Sequence, residues 1–116
     1  MKNTFKLACC LAVLLASSLA WANDAHKALK SMSDAKRENT LSTFLKRSGY
    51  KCPDVTRTFY QGSDKKGNAI WNAQCKDGAA YIIQVKNDAQ GSTHIMTCAA
   101  FKKITNGDCF KEYDVQ

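Results

Sequence analysis

Residues 69 to 98 carry the clearest alternation of apolar and polar positions: AIWNAQC, then Lys76-Asp77-Gly78, AAYIIQV, a polar stretch to Ser92, and THIMTC. A period of two, interrupted by turn-forming residues, predicts three β-strands joined by two hairpin connections. Asp77-Gly78 predicts a two-residue type I′ turn, because both positions of that turn need positive φ and this dipeptide adopts it at low cost. Cys75 then faces Ala80, Ala73 faces Ile82 and Trp71 faces Gln84. The second connection, Asn87 to Ser92 with Gly91 inside it, sets Met96 opposite Ile83 and Cys98 opposite Tyr81. Facing residues share a side of a sheet and neighbours along a strand alternate. One face therefore collects Ile70, Tyr81, Ile83, Val85 and Met96, and the other Trp71, Ala73, Ile82 and Ile95.

Upstream the period changes. Ala25, Ala28, Leu29 and Met32 fall on one helical stripe, and Leu41, Phe44, Leu45 and Ser48 on another. At about 100° per residue the two stripes would point to opposite sides of a single helix, so a break is expected. Ser33-Asp34 and Asn39-Thr40 both offer N-cap residues for it. The second helix is expected to stop where Lys46 and Arg47 suit a helix C-terminus and Gly49 can take the left-handed cap. Pro53 forbids continuation, and Val55 to Gln61 (VTRTFYQ) is rich in β-formers. A polar turn, Gly62 to Asn68, returns the chain to Ala69, and one or two helical turns are expected from Ala99 to Ile104. The expected fold class is α+β: two short N-terminal helices packed on a four-stranded antiparallel meander in the order 1-2-3-4.

The first 22 residues change the picture. Lys2 and Lys6 precede an apolar run from Leu7 to Leu19, and Ala20-Trp21-Ala22 has the A-x-A form of a signal-peptide cleavage site. The run is shorter than the about 20 residues a membrane span needs. Cys9 and Cys10 lie inside it rather than after it, which argues against lipid attachment. The expectation is an exported chain, periplasmic or secreted, with residues 23 to 116 as one small domain and no transmembrane segment after cleavage. Four cysteines remain, Cys52, Cys75, Cys98 and Cys109, an even number that in an oxidising compartment points to two disulfides. In the register above, Cys75 and Cys98 lie on opposite faces and a whole strand apart, about twice the 4.8 Å strand spacing. A bridge needs Cα atoms within roughly 7 Å. Their pairing is thereby excluded, leaving 52–75 with 98–109, or 52–98 with 75–109. The first is preferred, because each bridge then ties a flanking segment to the nearest strand end.

The chain carries 17 basic and 10 acidic side chains; without Lys2 and Lys6 the net charge is +5. Lys27, Lys30, Lys36, Arg37, Lys46, Arg47 and Lys51 crowd the helical half, and Lys65-Lys66 caps the first hairpin. Such charge is usually a solvated face; if it does more, it attracts an acidic protein surface or anionic lipid headgroups. Nucleic acid is not an expected partner of an exported chain of this modest charge. Tyr50, Phe59, Tyr60, Trp71 and Tyr81 could stack bases, but core and cross-strand pairing account for them equally well.

Catalytic and metal chemistry finds little support. Of the two histidines, His26 is expected to be solvated near the new N-terminus, and His94 to lie on the surface of the last strand. There is no C-x-x-C, so neither a thioredoxin-type dithiol nor an attached haem is indicated, and bridged cysteines cannot ligate a metal. Asp54, Asp64, Asp77, Asp88 and Asp108 fall at turns or strand ends, where backbone geometry favours Asp. No cofactor and no metal are expected.

Two helices followed by a four-stranded meander resembles, in element order, the repeat unit of β-lactamase inhibitor proteins and, more loosely, the small outer-membrane assembly lipoproteins. That resemblance implies a protein-binding module and carries over no functional residue. Two helices cover one sheet face, and the face with the larger aliphatic content is expected beneath them. Trp71, Ile82, Gln84 and Ile95 would then remain accessible as a contact surface, with Lys46, Arg47, Lys65 and Lys66 as its basic complement. The expected function is a non-enzymatic binding or accessory protein that contacts another envelope or extracellular protein. An effector acting on anionic membranes and a small hydrolase using His94 are the alternatives.

Overall fold

The computed structural model describes residues 23 to 112, so the expected leader and the last four residues lie outside it. Helix α1 spans Asp24–Ser31 and helix α2 Asp34–Arg47. Asn23 adopts left-handed backbone and accepts at Oδ1 from the His26 amide, capping α1, with Asp24 favourably placed at the positive end of the dipole. The chain breaks at Met32, which turns extended, and Ser33 caps α2 by accepting from the Lys36 amide. Ser33-Asp34 is therefore the break, and Asn39-Thr40 lies inside α2. Gly49, at φ +82, closes α2 in a Schellman motif in which the Tyr50 amide donates to Leu45 O and the Gly49 amide to Lys46 O.

Four strands follow, β1 (Val55–Ser63), β2 (Ala69–Cys75), β3 (Ala80–Val85) and β4 (Thr93–Thr97), in one antiparallel sheet of order β1-β2-β3-β4. Thr56 and Gln61 are extra residues in β1, each interrupting its register with β2. Helix α3 spans Cys98–Thr105 and ends on left-handed Asn106. The disulfides are Cys52–Cys75 and Cys98–Cys109, the preferred pairing.

The register differs from expectation by one residue at both hairpins. Gly78 alone has positive φ at the first; the Gly78 amide donates to Cys75 O and the Cys75 amide to Ala79 O. The loop is thus Lys76-Asp77-Gly78, three residues, with Asp77 Oδ1 accepting from the Ala79 amide instead of Asp77 adopting a left-handed conformation. Trp71 pairs with Ile83, not Gln84, and Ala73 with Tyr81. At the second connection Asp88 Oδ1 accepts from the amides of Gln90 and Ser92, and Ile83 pairs with Ile95, not Met96. Strand β3 is displaced by one against both neighbours, so the two displacements cancel between β2 and β4. The exclusion of a Cys75–Cys98 bridge depends only on that second relation, and it survives.

What does not survive is the division of side chains between faces. Trp71, Ala73 and Ile95 share a face with Tyr81, Ile83 and Val85, whereas Ile70 and Met96 join Ile82 and Gln84. A one-residue slip exchanges the faces of a whole strand, and this arrangement gathers the bulk of the apolar residues under the helices. Leu29 of α1 and Leu41 and Leu45 of α2 are buried against Val55, Trp71, Ala73, Tyr81, Ile83 and Val85. Truncating such a leucine to alanine typically costs about 2–5 kcal/mol. Beneath the helices Tyr81 Oη donates to Lys51 O, Tyr50 Oη donates to Ile95 O, and the two rings meet edge-on at 5.3 Å.

The opposite face is not bare. Helix α3 lies against β3 and β4 there, and the loop after it is fastened to β1 and β2. Asn72, fully buried, donates to Gln61 Oε1 and accepts from the Phe110 amide, while Gln61 Nε2 donates to Asp108 O. These three bonds satisfy a polar pair that burial would otherwise make costly.

Candidate functional site

The second sheet face and α3 enclose a cleft of about 190 Å³. Ile70, Ile82 and Met96 come from β2, β3 and β4, whose register sets them side by side; Phe101 and Ile104, three apart on α3, lean over them. Asp64, Gln84, His94 and Thr105 add polar atoms. Ile82 is buried, whereas Ile104 is 73% exposed, an unusual position for a large aliphatic side chain. The Cys98–Cys109 bridge and the bonds that join Gln61 and Asn72 to the following loop hold the α3 segment over the sheet as one wall of the cleft.

Asp64 closes the β1–β2 turn. Its Oδ1 accepts from the amides of Lys66 and Asn68, and its Oδ2 from Asn68 Nδ2 at 3.0 Å and from Gln84 Nε2 at 3.4 Å. Partial burial pushes its carboxyl up. The hydrogen bonds from Asn68 and Lys66, with the Lys66 charge, outweigh that and hold it below the ordinary carboxylate range. His94 stands opposite Gln84 on the β3–β4 pair and is exposed at the cleft.

Ile82 and Gln84 line the cleft on the face expected to remain accessible, but α3 roofs that face and Ile82 is buried at 4% exposure. Trp71, placed on that same surface from sequence, is 2% exposed beneath the helices, and Ile95 is half-buried on the helix side with its carbonyl accepting from Tyr50. Both displacements follow from the one-residue shift of β3. Lys46 and Arg47 are exposed at the end of α2, and Lys65 and Lys66 are exposed on the turn that Asp64 closes; none of the four lines the cleft. Sequence reasoning missed Phe101, Ile104 and Met96. The signal for the first two was their spacing of three in a segment bracketed by Cys98 and Cys109.

Arg37, counted among the solvated cations, is a structural residue instead. Its guanidinium donates to Leu29 O, Lys30 O and Met32 O at the end of α1 and to Asp34, and it lies 5.3 Å from the centre of the Trp71 ring. His26 is not free either. Its Nδ1 accepts from Trp71 Nε1 at 3.0 Å and its ring stacks on Tyr60 at 4.5 Å. Burial and then the charge of Lys30 lower its pKa from the ordinary 6.5. This cluster pins α1 to the sheet.

Among the described residues no group of three or more His, Cys, Asp or Glu side chains could hold a metal ion, and no helix is long and apolar enough to cross a membrane. Comparison with known protein families, with curated proteins and with solved structures gives no match. The likeness in element order to inhibitor repeats therefore brings no function to this chain. The two disulfides are those of a protein that matures in an oxidising environment.

Proposed function

We propose that this protein is an exported, non-enzymatic binding module, periplasmic or secreted, whose contact with another protein is made at the cleft between the sheet and α3. The observation that supports this reading is an apolar cleft with a partly exposed aliphatic wall: Ile104 is 73% exposed beside Ile70, Ile82, Met96 and Phe101. A concave apolar patch of this kind suits one bulky side chain from a partner, the form that anchoring contacts of interfaces commonly take. Acid–base chemistry at His94 is the less favoured reading, since Asp64, the carboxylate in the same cleft, is hydrogen-bonded to Lys66, Asn68 and Gln84 and not to His94.

The test is affinity capture from the cell envelope with three baits: the wild type, Ile104→Glu, and Lys46→Ser with Arg47→Ser. A stoichiometric partner retained by the wild type and the double variant but lost with Ile104→Glu is the expected result. Retention by Ile104→Glu and loss by the double variant would overturn the cleft reading in favour of the exposed basic side chains and an anionic surface.

A further inference from the structure

We infer that the cleft takes a cationic group carried on an apolar stem, as a lysine or arginine side chain of a partner protein would present it. This rests on the reading of the cleft as the contact site and adds the chemistry of what enters it. Its floor and wall, Ile70, Ile82, Met96, Phe101 and Ile104, offer only apolar surface, and about 190 Å³ suits one side chain rather than a larger organic ligand. Asp64 is the one lining residue with a carboxylate. Its hydrogen bonds keep that carboxylate ionised, yet it forms no ion pair: those among the described residues are Arg37–Asp34, Lys102–Asp108 and Lys111–Asp108.

The carboxylate also has an open position. Oδ1 accepts two backbone amides, but Oδ2 has one good bond, from Asn68, and one long contact of 3.4 Å from Gln84. A carboxylate oxygen accommodates two full bonds, so an entering N–H can replace the weak Gln84 contact with a charge-assisted one. Helix α3 ends at Thr105, itself a lining residue, and the C-terminal end of a helix favours positive charge. The opposing charges are Lys65 and Lys66 and, on the last turn of α3, Lys102, which pairs with Asp108, and Lys103; all four are exposed and do not line the cleft, and solvent and salt screen them more than they screen a direct contact at Asp64. They would favour an anionic amphiphile instead, and the experiment distinguishes the two.

Three probes share a phenethyl stem: phenethylammonium, phenethyl alcohol and hydrocinnamate. Each is titrated into the disulfide-bonded protein at mildly alkaline pH, and binding is read from the NMR methyl signals of Ile70, Ile82, Met96 and Ile104. The ammonium probe should bind about three- to fivefold more tightly than the alcohol, the gain ordinary for a partly exposed ion pair, with hydrocinnamate the weakest. Asp64→Asn keeps the Oδ1 acceptor of the turn and should bring the ammonium to parity with the alcohol, the two affinities being compared on that same variant. Parity in the wild type, a preference for hydrocinnamate, or a preference for the ammonium that persists in Asp64→Asn would overturn the inference and leave the cleft reading standing. If no probe moves the cleft methyls, both fall.

Discussion

Arg37→Ala should destabilise the protein by about 3.5 kcal/mol, far more than loss of a surface cation. The last carbonyls of any helix lack intrahelical donors, and at the end of α1 Arg37 serves three: Leu29 O at 2.8 Å, which also accepts from the Met32 amide, Lys30 O at 3.1 Å and Met32 O at 2.8 Å. Hydrogen bonds to a charged donor contribute roughly 1.5–3 kcal/mol each when sheltered. Here water can reach part of the vacated site, which lowers the figure to about 1 kcal/mol apiece. The guanidinium is nonetheless shielded, its side chain being 14% exposed, and its position over Trp71 adds about 0.5 kcal/mol. The pair with Asp34 adds little, because that carboxylate is 91% exposed. Two controls separate these contributions. Arg37→Lys should recover less than half of the loss, since a single ammonium cannot serve three carbonyls in a fixed fork. Asp34→Asn should cost under about 0.5 kcal/mol. Urea unfolding followed by far-UV circular dichroism gives the free energies, and amide exchange over Leu29 to Met32 locates the loss at the end of α1. An Arg37→Ala protein within about 0.5 kcal/mol of wild type, or an Arg37→Lys protein equal to it, would refute the assignment of Arg37 as the clasp between α1 and α2.

Acid should weaken the protein through His26. Its folded pKa lies below the unfolded 6.5, so the unfolded chain takes up the proton first; the contribution is complete above 6.5 and is lost as pH falls toward the folded value. His26→Gln should flatten the pH dependence of the melting temperature in that window, and an unchanged slope would show that the Trp71–His26 bond does not matter. Replacing Cys98 and Cys109 by serine should cost about 2.8 kcal/mol on the chain-entropy model for a bridge of sequence separation 11 and abolish binding of the phenethyl probes at the cleft. Retained probe binding would mean that α3 holds its place without the bridge. Gly78→Ala should cost about 1 kcal/mol by thermal unfolding purely from backbone strain at φ +93, because a Cβ there meets nothing within 4 Å. A neutral effect would contradict the three-residue loop.

The helices, the strands, the presence of a break between α1 and α2, the cap at Gly49 and the exclusion of a Cys75–Cys98 bridge were legible, because each depends on local periodicity and on the backbone preferences of Ser, Gly, Asp and Pro; which of two candidate sites holds the break and which of two pairings forms were left open. Even the cysteine argument held with β3 misplaced, since the displacements of β3 against β2 and against β4 are equal and cancel. Faces were not legible by the same means. Asp77-Gly78 is compatible with a two-residue and a three-residue turn that differ by little in local energy, and the choice between them moves Trp71 from a surface to the core.

What decides it is burial. Only one parity places Trp71, Ala73 and Ile95 beside Tyr81, Ile83 and Val85, where α1 and α2 can cover them together. The same holds for function-bearing surfaces. The sequence determined which elements form and which side chains are apolar or charged. Tertiary structure alone decided that Arg37 and His26 are clasps and that residues 98 to 110 roof the second face. It also brought Asp64 into one cleft with Met96 and Ile104, 32 and 40 residues further along the chain. Propensity acts over a few neighbours along the chain, whereas the side a residue faces is settled by the apolar area that distant segments can remove from water together.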